Sequence, residues 1–277
     1  MSTSAVIRSG VGLRHVQIMA LNADGYPNAT TQTVYEGVTL SGAMSLTLND
    51  PEPQQIIHRG DDRVFALDTL PPSEPISGEL TVSKTNDTVD AILTDDKSFD
   101  IGEASLFGLG TDKRGDENQV AVLAYRQSLD TDPASGNFGA RRWELRLLPK
   151  TYVIPRAGGL EQDTSENRSY TVRPQFVKEH LWGEAFSTST EGFEQAQMLR
   201  GISTDKPKVV AWKATKAGKS SLTLSFPTAS PASATGKIAA WVDGVSTVPD
   251  TLATTQIEFT TGVVTTNAMV VAFYETD

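Results

Sequence analysis

Between Val38 and Leu48 the chain alternates with a period of two: Val38, Leu40, Gly42, Met44, Leu46 and Leu48 interleave with Thr39, Ser41, Ala43, Ser45 and Thr47. Successive side chains of a strand point to opposite faces, so the pattern predicts one strand with an apolar face and a small, uncharged one. A strand facing ordinary water carries Lys, Glu or Arg on its outer side. Further strands are predicted over Arg14–Leu21, Gln55–Arg59, Arg63–Asp68, Glu79–Lys84, Gln119–Gln127, Arg141–Leu148 and Tyr170–Val177. In the sixth of these, Arg142, Glu144 and Arg146 alternate with Trp143, Leu145 and Leu147, a half-buried strand with a charged side.

Helical spacing is scarce. Val89, Ile92 and Leu93 form one stripe of a short helix over Asn86–Thr94, with Asn86 as its cap. Phe193, Ala196 and Leu199 suggest a second over Gly192–Leu199. Polar, turn-rich stretches separate the elements at Pro71–Ser77, Gly108–Asn118, Asp130–Gly139 and Gly158–Arg168. Long loops of this kind are contact surfaces or disordered.

A boundary is expected near Gly201–Lys206, dividing the chain into units 1–204 and 205–277. Beyond it, Lys208–Lys213, Ser221–Phe226, Lys237–Val242, Thr255–Thr260 and Ala268–Tyr274 read as five short strands at regular spacing. That spacing predicts a small Ig-like antiparallel sandwich. Asp243-Gly244 is a hairpin-turn signal. Met269 to Phe273 is apolar on both faces, which places the last strand centrally. The fold class expected is mainly β: a sandwich or barrel with one short helix, followed by the small C-terminal sandwich.

Composition sharpens this picture. Charged residues make up 21% of the 277 residues, and the formal net charge is −10. Residues 201–277 hold six Lys and six acids, so the acid excess falls on residues 1–200. Phosphate binding is driven by Lys and Arg displacing counterions, so an acidic surface does not grip nucleic acid. The chain has no cysteine, which excludes disulfides, thiolate metal sites and cysteine nucleophiles. No basic start followed by an apolar stretch and no apolar run of about 18 residues is present, so neither a secretory signal nor a membrane helix is expected, and folding in cytoplasm is.

Candidate chemistry falls away on inspection. His15, His58 and His180 are far apart, and none has a His or Glu at the spacing of a helical metal motif. Ala217-Gly218-Lys219-Ser220 resembles the end of a phosphate-binding loop, but Lys213 stands where that loop needs glycine. Gly108-Leu109-Gly110 lies in a polar loop with no helix after it. Asp130-Thr131-Asp132 starts like a calcium loop, with Ser135 and Arg141 where glycine and glutamate belong. Asp95, Asp96 and Asp100 read as a solvated acidic loop rather than paired catalytic carboxylates. No Gly-X-Ser-X-Gly occurs. No catalytic residue, cofactor or metal site is expected.

The long alternating strand at Val38–Leu48, a short helix after a β-hairpin, and strands ending in Arg168-Ser169-Tyr170-Thr171-Val172-Arg173-Pro174-Gln175-Phe176 resemble the major tail tube proteins of long-tailed, siphovirus-type bacteriophages. Trp241-Val242-Asp243-Gly244, Ile257-Glu258-Phe259-Thr260 and Val270 to Tyr274 resemble small β domains fused to phage virion proteins. The resemblance is one of pattern and order. It implies subunits closing into hexameric rings, rings stacking through long loops, and DNA passing through the bore without specific binding. It also implies tape-measure and tail terminator proteins as partners, assembly in the host cytoplasm, a place in the virion, and a C-terminal unit on the outer surface.

A bore that must not hold DNA should be acidic or neutral and free of bulky side chains. Thr39, Ser41, Ala43, Ser45 and Thr47 are therefore the expected lumen-facing residues; an ordinary surface strand or a small-residue packing face would show the same pattern. Two other readings stand beside this one. One is a different virion protein, a capsid decoration or head-tail connector; the other is a carbohydrate-binding sandwich using Trp143, Trp182, Trp212 or Trp241.

Overall fold

The computed structural model describes residues 8–22, 25–29, 35–49, 51–60, 63–70, 76–84, 87–94, 98–101, 104–107, 118–131, 133, 138–156, 167–175, 199–203, 206–214, 238–243, 245–247, 251–253, 256–259 and 268–276. In chain order come β1 (Arg8–Ala20), β2 (Val38–Leu40), β3 (Ala43–Asn49), β4 (Gln54–Gly60), β5 (Arg63–Leu70) and β6 (Ser77–Val82). Helix α1 (Asp87–Thr94) precedes β7 (Ser98–Ile101), β8 (Ala104–Phe107), β9 (Gln119–Asp130), β10 (Arg141–Pro155), β11 (Arg168–Pro174) and β12 (Leu199–Ser203). The rest are β13 (Lys206–Lys213), β14 (Ile238–Val242), β15 (Val245–Thr247), β16 (Thr251–Ala253), β17 (Gln256–Glu258) and β18 (Met269–Thr276). The protein is mainly β, its sheets antiparallel, consistent with a sandwich.

The main sheet runs β2-β1-β9-β10-β11-β6-β3, with β12 also paired to β10. Its two ends are consecutive in sequence. Segment 38–49 pairs with β1 through β2 and with β6 through β3, so the sheet curls until β1 and β3 approach each other. The enclosed face is apolar: Val16, Ile18, Leu40, Leu80, Val82, Val120, Val122, Leu148, Val153, Tyr170 and Val172 are buried there together with Val89 and Leu93 of α1. An eight-residue helix is marginal by itself in water, and packing on this core holds it. Asn118 caps its C-terminal end, donating from Nδ2 to the Ile92 carbonyl (2.9 Å) and from its backbone N–H to that of Leu93 (3.3 Å). Asp90 anchors its flank to β11 through the Tyr170 hydroxyl (2.9 Å) and Arg168 (2.6 Å). Asn86, the expected cap, lies outside the described residues.

The single strand expected at Val38–Leu48 is two strands. At Ser41-Gly42 the chain turns with Gly42 at φ +78°, a conformation that favours glycine, and the Gly42 carbonyl accepts the Ser83 N–H at 2.8 Å. The turn shifts the alternation by one residue, and the register of β3 against β6 skips from Ala43↔Val82 to Ser45↔Thr81, so Met44 is the extra residue of a bulge. Leu46 and Leu48 then face the core again.

A second sheet, β13-β18-β14-β15, is the C-terminal one. The apolar β18 is central, as its sequence requires. Val242 pairs with Val245 around Asp243-Gly244, and Asp243 adopts φ +48°, the left-handed geometry of a two-residue hairpin turn. The Asp243 carboxylate accepts the Met269 N–H at 2.7 Å, locking the turn to β18. One face of this sheet buries Val210, Trp212, Ala240, Val242, Val270 and Ala272 with Phe259. The other packs Val209, Ala211, Met269 and Val271 against Met19, Ala121, Leu123, Tyr125, Leu145 and Leu147 of the main sheet. The two sheets therefore share a core.

Tyr35 fastens them together. Its backbone exchanges two hydrogen bonds with Ala211 of β13, both 3.0 Å, and its hydroxyl accepts the Ala20 N–H of β1 at 2.8 Å. Burial pushes the phenol above its ordinary value near 10, with the Ala20 hydrogen bond pulling the other way. Of the second expected helix, residues 192–198 lie outside the described residues, and Leu199 opens strand β12.

Candidate assembly surfaces

Between β3 and β6 the chain leaves the main sheet as a hairpin. Pro51 and Pro53 on the way out and Pro71, Pro72 and Pro75 on the way back lack the N–H needed to continue a ladder. β4 and β5 accordingly pair only with each other among the described residues. At about 3.4 Å per residue, the arm is roughly 25 Å long.

Its surface is out of keeping with water. Ile56 is 41% exposed, Ile57 48%, Leu67 54% and Leu70 42%. The register sets Ile57 opposite Leu67 on one face, and Ile56 opposite Asp68 on the other. His58 lies beside Asp68, Nε2 to Oδ2 2.9 Å, both side chains more than half exposed. An isolated two-stranded hairpin is at best marginal in water, and apolar residues on both faces add to that cost.

The second surface is the edge strand β3, which hydrogen-bonds only to β6 among the described residues, with β1 approaching its other side. Natural sheets blunt such edges with Lys, Pro or inward charges. Residues 43–49 carry none of these, and the bulged Met44 is 53% exposed. The bulge and the approach of β1 are the blunting devices seen among the described residues. Thr39, Ser41, Ser45 and Thr47 are exposed along this same segment, whereas Ala43 turns inward and packs on the core. Four of the five expected lumen residues thus share an uncharged exposed strip, and Ala43 does not join them, because the turn and the bulge invert the alternation between them.

Phe138 is also exposed, at 63%, in the turn joining β9 to β10. Neither Phe138 nor the four apolar arm residues stand out by alternation along the chain. Proline pairs bracketing an apolar hairpin were the available signal.

The remaining candidates that fall among the described residues do not converge. His15 sits in β1 with its ring 5.3 Å from that of Tyr125, and His58 is on the arm. Asp100 is in β7, and Asp130 is buried at the end of β9. His180, Asp95, Asp96, Asp132, Trp182, Gly108-Leu109-Gly110 and Ala217 to Ser220 lie outside the described residues. Trp212 is a core residue and Trp143 packs against the shared core. Among the described residues no group of His, Asp or Glu could hold a metal ion, and no helix is long and apolar enough to cross a membrane. No protein-family model and no curated protein matches the chain.

Proposed function

We propose that this protein is a self-assembling structural subunit of a phage tail tube, its copies closing into hexameric rings that stack around a bore for DNA. The observation that carries the reading is the β4–β5 arm. It is a hairpin too small to stand alone, and it holds four large apolar side chains that water half covers. In a monomer the arm and the uncharged β3 edge are aggregation liabilities; in a ring or stack they are contacts. The exposed strip of Thr39, Ser41, Ser45 and Thr47 suits a lumen wall, being uncharged and short. In this reading the C-terminal sheet, an Ig-like addition, forms part of the outer wall, and tape-measure and terminator proteins contact the bore and the tube end.

The test is negative-stain microscopy and sedimentation velocity of the purified chain over a wide concentration range. Rings or tubes with a central channel are expected. A species that stays monomeric at the highest concentration refutes the proposal, and spikes on capsids in place of tubes would transfer the protein to a decoration role.

A further inference from the structure

The enclosed face of the β9–β10 ladder changes character along its length. Leu148 opposite Val122 and Ala124 opposite Arg146 mark the end of the apolar interior; Glu144 opposite Arg126 and Arg142 opposite Ser128 follow. Glu144 is 1% exposed. Its carboxylate accepts from Arg126 Nε at 2.7 Å and Arg146 Nε at 3.2 Å, and it lies 2.6 Å from a terminal nitrogen of Arg126. Arg126, Arg142 and Arg146 share this face with Glu144 and, two residues past Ser128 on the same strand, the buried Asp130.

The three guanidiniums outnumber the two carboxylates, and one of the three has a nitrogen without a partner. Arg142 Nε is buried and has no hydrogen-bond partner among the described residues. All this occurs in a chain whose formal charge is −10.

We infer that the arginine cluster of Arg126, Arg142 and Arg146 seats a carboxylate from a second copy of this chain. Charge complementarity argues for that occupant: copies with ten surplus acids repel one another unless a local excess of base meets part of the acidic surface. Arginine's planar fork suits a carboxylate in two-point contact. The turn between the same two strands presents Phe138, and exposed aromatics beside arginines are the composition of interface centres. The inference rests on the self-assembly reading and adds where one copy's acids meet its neighbour.

The experiment compares wild type with Arg142→Glu and Arg142→Gln by sedimentation velocity and melting. In parallel, phenylglyoxal labelling mapped by mass spectrometry follows Arg142 in dispersed and assembled wild-type protein. Arg142→Glu should raise the concentration for half-assembly at least tenfold, Arg142→Gln by less, with melting temperatures near wild type, and Arg142 should be labelled when dispersed and protected when assembled. Assembly of Arg142→Glu at the wild-type concentration, or equal labelling in both states, overturns the seat and leaves self-assembly standing. If Arg142→Glu does not fold, Arg142→Gln and the labelling decide. A wild-type chain that never associates overturns both.

Discussion

Replacing Ile57 and Leu67 together by serine tests the arm most directly. The two face each other across the β4–β5 ladder and are 48% and 54% exposed, so about half of each side chain remains to be covered on assembly. Fully burying such a side chain is worth roughly 2 kcal/mol, so the uncovered half contributes about 1 kcal/mol, and the pair about 2 kcal/mol per arm. That corresponds to roughly a 30-fold rise in the concentration needed for association. Neither residue belongs to a core, so the fold should be indifferent. Sedimentation velocity reads the association and thermal melting reads the fold. Assembly at the wild-type concentration would refute the reasoning, as would a melting loss comparable to that of a core variant.

Leu123→Ala empties a site in the core shared by the two sheets and should cost about 2–5 kcal/mol, with main and C-terminal sheets melting in one transition in calorimetry. Two separate transitions would show that the sheets do not depend on each other. Glu144→Gln removes the buried anion between Arg126 and Arg146; both arginines are about one-third exposed, so the loss should be near 3 kcal/mol, at the lower end for a broken buried pair, measured by denaturant unfolding. Tyr35→Phe deletes the acceptor for the Ala20 N–H and should cost about 1 kcal/mol. In wild type the Tyr35 phenol is raised above its ordinary value near 10, so the unfolded chain releases this proton first. Its contribution is complete below pH 10 and declines as pH climbs toward the folded value, a decline that the phenylalanine variant should lack in alkaline unfolding curves.

Alternation along single strands carried most of the secondary structure. β9, β10 and β18 are where period-two or doubly apolar runs place them, and Val89, Ile92 and Leu93 mark the one helix described. What local pattern does not encode is which surface meets each face. Trp143, Leu145 and Leu147 announce a buried side of β10, yet nothing near them in sequence says that Val209 and Val271 cover it. The charged side carries no local sign of burial, and the register that puts Arg126 across from Glu144 goes with that carboxylate being buried. At Ser41-Gly42 the glycine fitted a strand pattern by size alone; its positive φ and the Met44 bulge depend on the sheet having to close.

The shared core changes what the C-terminal sheet can be. A unit joined only by a tether could be removed at residue 204 and leave an intact remainder. Here removal would uncover Met19, Leu123, Tyr125 and Leu147, all buried against or beside Val209, Ala211 and Val271, and would strip Tyr35 of its two backbone partners in β13. Apolar side chains on that scale cannot face water on an otherwise acidic surface without driving aggregation. The chain ending at residue 204 should therefore precipitate or remain unfolded in the soluble-fraction assay, while the full chain does not. A soluble truncated chain with the full chain's far-ultraviolet spectrum per strand residue would show that the main sheet holds this face without help. The C-terminal sheet would then be an independent addition to the main sheet.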